Sequence, residues 1–334
     1  MTFPYRALLA LLSALIIGLS VAACGGDEEE PASGGGATST ESQDTTAESG
    51  GGGELIQRDD ANASKTFTVG SKNFAEQYIL GEIYAQALEA AGYKVRKQLD
   101  LGSEQIAYKA VKDGQIDAYP EYSGTALTSF YRVKTDDVPR DKDESFQLLQ
   151  REARKDGITP LPQTPFQNTY VVTSTKENAE ELGNPATISE LAEKAQDRKL
   201  SGYPECRQRT DCLVGLKQVY EWEPEFVSSQ GQYTDLDAGQ ADFTMGFSTD
   251  GPLSLDKYAT YEDDKQLFPP YYVTFLVGER GMRTLGEEGQ ALIERIQAPL
   301  TEEVMQELNS RVSLDKQEPE QVARDYLREA GFTE

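Results

Sequence analysis

TFTVGSKNFAEQYILGEIYAQALEAAGYKV, Thr66 to Val95, carries the pattern that decides the fold. Phe67 and Val69 alternate with Thr66 and Thr68, the period of two expected of a strand. Ile79, Leu80, Ile83, Tyr84, Ala87 and Leu88 then recur at helical spacing. Asn73 followed three residues later by Glu76 reads as a capping box at the start of that helix, and Gly92 as its end. The apolar residues that follow enter another strand. Strand, helix and strand in this order predict an α/β architecture.

Outward from this unit the chain shows three regimes. Residues 1–23 hold Arg6, an apolar run from Ala7 to Ile17 and then small residues. That is the pattern of a secretory signal, too short for a spanning helix. Val21-Ala22-Ala23-Cys24-Gly25 resembles the lipobox of bacterial lipoproteins, which implies cleavage before Cys24 and a lipid on its sulfur. An ordinary signal peptide with a spare cysteine is the plainer alternative. Residues 24–64 are rich in Gly, Ser, Thr, Glu and Asp, cannot bury enough to offset ordering entropy, and are expected to form a flexible, disordered tether. From Thr66 onward the length suits a pair of lobes rather than one small core. The last stretch, with Pro319 near a helix start and Gly331 just past its end, is expected to be helical and to pack back on the first lobe.

Composition excludes several chemistries. The formal net charge is −25, which argues against a nucleic-acid partner. There is no histidine, so neither a histidine-based catalytic triad nor a histidine-ligated metal site can be built. With Cys24 set aside, Cys206 and Cys212 remain as an even pair in an exported chain. A small disulfide-closed loop is the expectation, two free thiols the alternative.

One internal echo points to duplication. KDGQIDAYPEYSG (Lys112–Gly124) is matched by DAGQADFTMGFSTDG (Asp237–Gly251). Both hold Gly-Gln-x-Asp, a short strand and an aromatic residue, which suggests two similar lobes presenting an aromatic at the same end of each sheet. Ligands of open α/β sheets collect at the carboxyl ends of strands. Chance reuse of a common helix-to-strand turn explains the echo equally simply.

VGSKNFAEQYILGEIYAQALE, DGQIDAYPEYSGTAL, QNTYVVT, GFSTDGPL and LFPPYYVTFLV together resemble the substrate-binding proteins of bacterial ABC importers for glycine betaine, choline and related osmoprotectants. The resemblance implies a type II periplasmic-binding-protein fold: two lobes, a ligand cleft between them and two hinge strands. It places the first lobe at 66–171, the second at 172–271, and a return to the first at 272–334. It implies a monomer without cofactor, not an enzyme, lipid-anchored at the outer face of the cytoplasmic membrane and delivering a quaternary amine to an ABC permease. A scaffold or sensor lipoprotein of the same fold with a changed ligand is the runner-up.

The chemistry of such a ligand fits the residues. A trimethylammonium group has no N–H to donate, so aromatic faces must hold it. By resemblance the cage positions are Tyr122, Tyr170 and Tyr271, with Phe247 where the family has tyrosine. Lys72, Thr125 and Arg209 match groups that hold a ligand carboxylate, with Arg207 as the competing arginine and Gln77 as an added polar contact. Tyr119 and Tyr272 adjoin cage positions and are expected to face away. Glu121 and Asp250 are expected to support turns or the cleft. For each aromatic the bland reading is half-buried packing, for Lys72 a loop lysine, for Gln77 a solvated helix residue, and for Arg209 a structural pair with Asp211.

Overall fold

The structure, a computed structural model, describes residues 54–334. The expected signal segment and lipidated Cys24 lie outside the described residues. Two five-stranded sheets form the frame. The first holds β1 (Thr66–Gly70), β2 (Lys94–Gln98), β3 (Ala118–Tyr122), β4 (Ile158–Pro160) and β10 (Val273–Gly278), in the order β2-β1-β3-β10-β4. The second holds β5 (Tyr170–Thr175), β6 (Lys199–Gly202), β7 (Glu225–Ser228), β8 (Phe243–Phe247) and β9 (Tyr258–Tyr261), in the order β7-β6-β8-β5-β9.

The two sheets share one plan. In each, two strands run parallel to a central neighbour, and the remaining pairs are antiparallel. The echo of the sequence sits at the centre of both. Helix α1 spans Ala75–Ala90 and α2 spans Glu104–Lys112; α2 leads into β3, and α3 (Gln232–Asp237) leads into β8. Gly114 and Gly239 take φ of +69° and +65° in the two turns, a region glycine enters without steric cost. Asp117 accepts from the Thr68 amide at 2.7 Å, and Asp242 from the Lys199 amide at 2.8 Å. Each aspartate therefore fastens the start of its own central strand to the neighbouring parallel strand. The shared Gly-Gln-x-Asp is thus a structural device. It sets Tyr122 and Phe247 at equivalent ends of the two central strands.

The chain crosses between sheets twice, at 161–169 and 262–272, and the crossings touch: Gln167 bridges Tyr272, and the Asn168 amide donates to Tyr271 O at 3.1 Å. After β10 come α4 (Glu279–Gln297), α5 (Glu302–Ser313) and α6 (Pro319–Glu329). They cover α1, whose Ile79, Leu80, Ile83, Tyr84, Ala87 and Leu88 are wholly buried. Gln297 Nε2 donates to the Tyr84 hydroxyl at 2.9 Å, which fastens α4 to α1.

Two expectations need correction. Glu76 is no capping-box partner: Asn73 is exposed, Phe74 precedes the helix, and the Glu76 side chain turns into the interior, where buried donors outcompete the single exposed Asn73 amide. The expected tether is also too long at its far end. Ile56 N donates to Phe332 O at 2.9 Å, and Asn62, 4% exposed, donates to Ala91 O at 3.0 Å. Ile56 and Asn62 are thereby fastened to the ends of α6 and α1, so residues 54–64 belong to the folded unit.

Candidate ligand-binding cleft

The register of the sheets explains why aromatics meet. Phe247, last in β8, lies opposite Tyr170, first in β5, and their ring centroids are 5.0 Å apart. Tyr170 also meets Phe268 at 5.7 Å and Tyr271 edge-on at 5.9 Å, while Tyr203 meets Phe247 at 5.9 Å. These separations are those of interacting rings. Tyr271 lies against the turn after β3. A Cβ on Gly124 would come within 2.8 Å of two Tyr271 ring carbons, so glycine is what permits that approach. Tyr122, last in β3, stacks on Phe74 at 6.2 Å and carries the Lys72 ammonium 4.4 Å from its ring centre.

The charged groups are paired. Lys72, 5% exposed, is ion-paired to the fully buried Glu121, which also accepts from the Tyr119 hydroxyl at 3.0 Å and the Tyr122 amide at 2.8 Å. Burial pushes the Glu121 carboxyl up, and Lys72 pulls it back. Arg209 forks onto Asp211, Nε to Oδ1 at 2.7 Å and a terminal nitrogen to Oδ2 at 2.6 Å. The same Asp211 takes the Tyr271 hydroxyl. Cys206 and Cys212 are joined by a disulfide, Cα to Cα 5.2 Å, and that loop carries Arg209 between them. The Arg209 Cζ lies 5.8 Å from the Tyr170 ring centre. Burial pushes the Tyr122, Tyr170 and Tyr271 hydroxyls up, so all three are neutral phenols at physiological pH.

The sequence-chosen residues thus fall into two adjoining groups. Tyr170, Phe247, Tyr271 and Arg209 share one contact network. Lys72, Tyr122 and Gln77 share another, and the Gly124 approach to Tyr271 joins them. Gln77 is wholly buried, against the solvated alternative; its Oε1 accepts from the Lys72 amide at 3.2 Å and its Nε2 has no partner. Thr125 is half-buried on the turn after β3. Arg207 lies outside both networks, exposed over Phe226. The Tyr119 ring packs with Ala107, Val111, Ile116 and Leu276 on the other face of β3 from Tyr122, with only its hydroxyl reaching Glu121. Tyr272 likewise turns from its neighbour: Lys142 lies 4.3 Å over its ring, and it lines a cavity of about 570 Å³ beside the crossings. Of the chosen site residues only Tyr170 borders that cavity. Asp250 supports a turn, accepting from the Phe247 amide at 2.8 Å and the Tyr233 hydroxyl at 3.0 Å. Burial raises its carboxyl to about 7.

Sequence reasoning missed Phe74, Tyr203, Phe268, the bond of the Tyr271 hydroxyl to Asp211, and Glu76; the Arg209–Asp211 pair is the plainer alternative it had left open. Phe268 stood inside a quoted motif, and its proximity to Tyr271 was the available signal. Glu76 had none, because its partners come from four distant places in the chain.

Residues 65–329 match the family model described as the substrate binding domain of ABC-type glycine betaine transport system. The chain belongs to this family. A glycine-betaine-binding protein of Pseudomonas aeruginosa is 31% identical over 80% of this chain and 88% of its own length. The ergothioneine transport permease/ergothioneine binding protein EgtU of Helicobacter pylori is 26% identical over 83% of this chain and half of its own length. A crystal structure of a glycine betaine/carnitine/choline ABC transporter protein superposes with a TM-score of 0.69, at 25% identity, over 78% of this chain and 97% of that one. The chain is therefore a substrate-binding protein of glycine betaine/carnitine-type ABC transporters, with the two-lobed fold, and not an enzyme. Proteins of this kind bind a small ligand and deliver it to a permease. No helix among the described residues is long and apolar enough to cross a membrane.

Proposed function

We propose that this substrate-binding domain captures a quaternary-ammonium zwitterion, glycine betaine or a close analogue, as a monomer tethered through lipidated Cys24. The observation that carries this reading is the meeting of Tyr170, Phe247 and Tyr271 with Tyr122 next door, at the ends of strands from both sheets. Aromatic faces attract a desolvated cation by about 2 kcal/mol per good contact. Lys72, Arg209, Thr125 and the unpartnered Gln77 amide supply donors for the carboxylate end. Both cations already have carboxylate partners, so a ligand carboxylate joins or displaces Glu121 and Asp211 rather than meeting free charge. That arrangement favours zwitterions over choline, whose hydroxyl cannot compete for an ammonium or guanidinium.

Phe247 favours widening the panel. A ring without a hydroxyl suits a bulkier head or tail, and one relative is named for ergothioneine, itself a trimethylammonium zwitterion. Calorimetric titration with glycine betaine, proline betaine, carnitine, ergothioneine and choline tests the proposal, with the zwitterions expected to bind and choline to bind weakly. Combined Tyr122→Ala and Tyr271→Ala should weaken the best ligand by roughly a thousandfold, two cation–π contacts of about 2 kcal/mol each. No heat with any ligand, or unchanged affinity in the double variant, would sink this reading.

A further inference from the structure

A buried carboxylate is costly unless its acceptor sites are filled, and Glu76, 3% exposed, fills them from four separate parts of the chain. Its Oε1 accepts from the Tyr122 hydroxyl at 2.7 Å and from Asn168 Nδ2, in the first crossing, at 2.8 Å. Its Oε2 accepts from Asn309 Nδ2 on α5 at 2.8 Å and from the Thr249 hydroxyl in the loop after β8. These four partners are neutral. The favourable charge is the amino end of α1, in whose first turn Glu76 lies.

The surroundings tie the same elements together. Asn309 Nδ2 also donates to Thr249 O at 2.8 Å, and Gln306 Nε2 donates to Ser248 O at 2.6 Å. Helix α5 therefore grips the loop after β8, and the approach is close: a Cβ on Gly251 would stand 2.7 Å from Ser310 Cα. Glu76 is the point where the first sheet's ring, one crossing, the C-terminal helices and the second sheet's loop share one acceptor.

We propose that Glu76 is a positioning residue that makes cation capture and the docking of the two lobes one event. On one side it orients the Tyr122 ring through the hydroxyl. A phenol donating to a carboxylate has a more electron-rich face, and so a stronger pull on a cation. On the other side it holds Thr249, which Phe247 precedes by two residues. A ligand that needs the Tyr122 face in place therefore also needs the loop after β8 docked. The cation half of this inference rests on the reading of the cleft as a quaternary-amine site.

The test is a set of variants of the full chain, Tyr122→Phe, Thr249→Val and Glu76→Gln, titrated with glycine betaine and measured without ligand by small-angle scattering. Tyr122→Phe keeps the ring, and Thr249→Val lies off the cage, yet each should weaken betaine roughly tenfold, the worth of a hydrogen bond to a charged acceptor. In the Glu76→Gln background the same substitutions should matter less than about twofold. A merely structural Glu76 would lower the Tm of the variants and leave the betaine affinity of Thr249→Val at the native value, which would overturn the proposal. Should Glu76→Gln fail to fold, the Tyr122→Phe, Thr249→Val double variant decides: losses that simply multiply overturn the coupling. If the native chain binds no quaternary amine, the cleft reading and the cation half fall together. Scattering then judges the lobe half alone. Thr249→Val and Glu76→Gln should expand the ligand-free particle, and unchanged dimensions overturn it.

Discussion

The two sheets have the same strand order, the same turn before the central strand and the same aspartate clip, yet their central strands end in opposite chemistry. β3 ends in Tyr122, flanked by the buried Lys72–Glu121 pair and held at its hydroxyl by Glu76. β8 ends in Phe247, flanked by the rings of Tyr170 and Tyr203, with a single carboxyl, Asp250, beneath its amide. The same geometry occurs twice, but one end is polar and charged and the other mostly aromatic. The zwitterion proposed above matches such an asymmetric pair of ends, with its cation against rings and its carboxylate near paired bases.

The sharpest way to break this contrast is to remove the base from each half. Lys72→Met strands Glu121 in a fully buried site, and an uncompensated buried charge costs about 3–5 kcal/mol. Arg209→Met strands Asp211 as well, but the Arg209 side chain is 20% exposed against 6% for Lys72, and Tyr271 still donates to Asp211. Chemical denaturation should therefore show a clearly larger loss for Lys72→Met. Equal losses would mean that the two bases sit in equivalent electrostatic surroundings, against the asymmetry.

How much of this was legible in the sequence follows from the range of each interaction. The alternation of Phe67 and Val69, the helical spacing from Ile79 to Leu88 and the echo around Gly114 and Gly239 are local, and each gave the right element. Tyr170 opens β5, Phe247 closes β8 and Tyr271 lies just before β10, and those strand ends are written in short motifs. Glu76 was misassigned because its local reading, a cap, is sound for a helix start; Asn168, Thr249 and Asn309 override it from far along the chain. Arg209 forks onto Asp211, the structural pair its spacing left open beside a ligand role, because side-chain geometry decides that and spacing does not.

A smaller effect separates the halves by pH. The Asp250 carboxyl, raised by burial to about 7 in the folded chain, binds its proton more tightly folded than unfolded, where it titrates near 4. Its contribution is fully present below about pH 4 and is lost as pH rises through about 7. Asp250→Asn keeps an acceptor for the Phe247 amide and removes the charge. The variant should gain Tm relative to the native chain at pH 8 and little at pH 5. A gain independent of pH would show that Asp250 does not titrate in this window.

The smallest change goes to the heart of the contrast. Phe247→Tyr adds a hydroxyl to this ring, and should leave the second sheet's rings in place. Phe247 is half-buried, so the added oxygen has room at the surface of the ring cluster and need not be desolvated without a partner. A cation held by the π face gains little from a hydroxyl at the ring edge, so glycine betaine affinity should stay within about threefold of the native chain, under about 0.7 kcal/mol. A bulkier zwitterion whose tail reaches past the ring should be affected more. Titrating both ligands against the native chain and Phe247→Tyr measures that difference directly. If Phe247→Tyr strengthens glycine betaine tenfold or more, the hydroxyl is part of the grip, and the two ends of the cleft are less alike in function than their shared strand plan suggests.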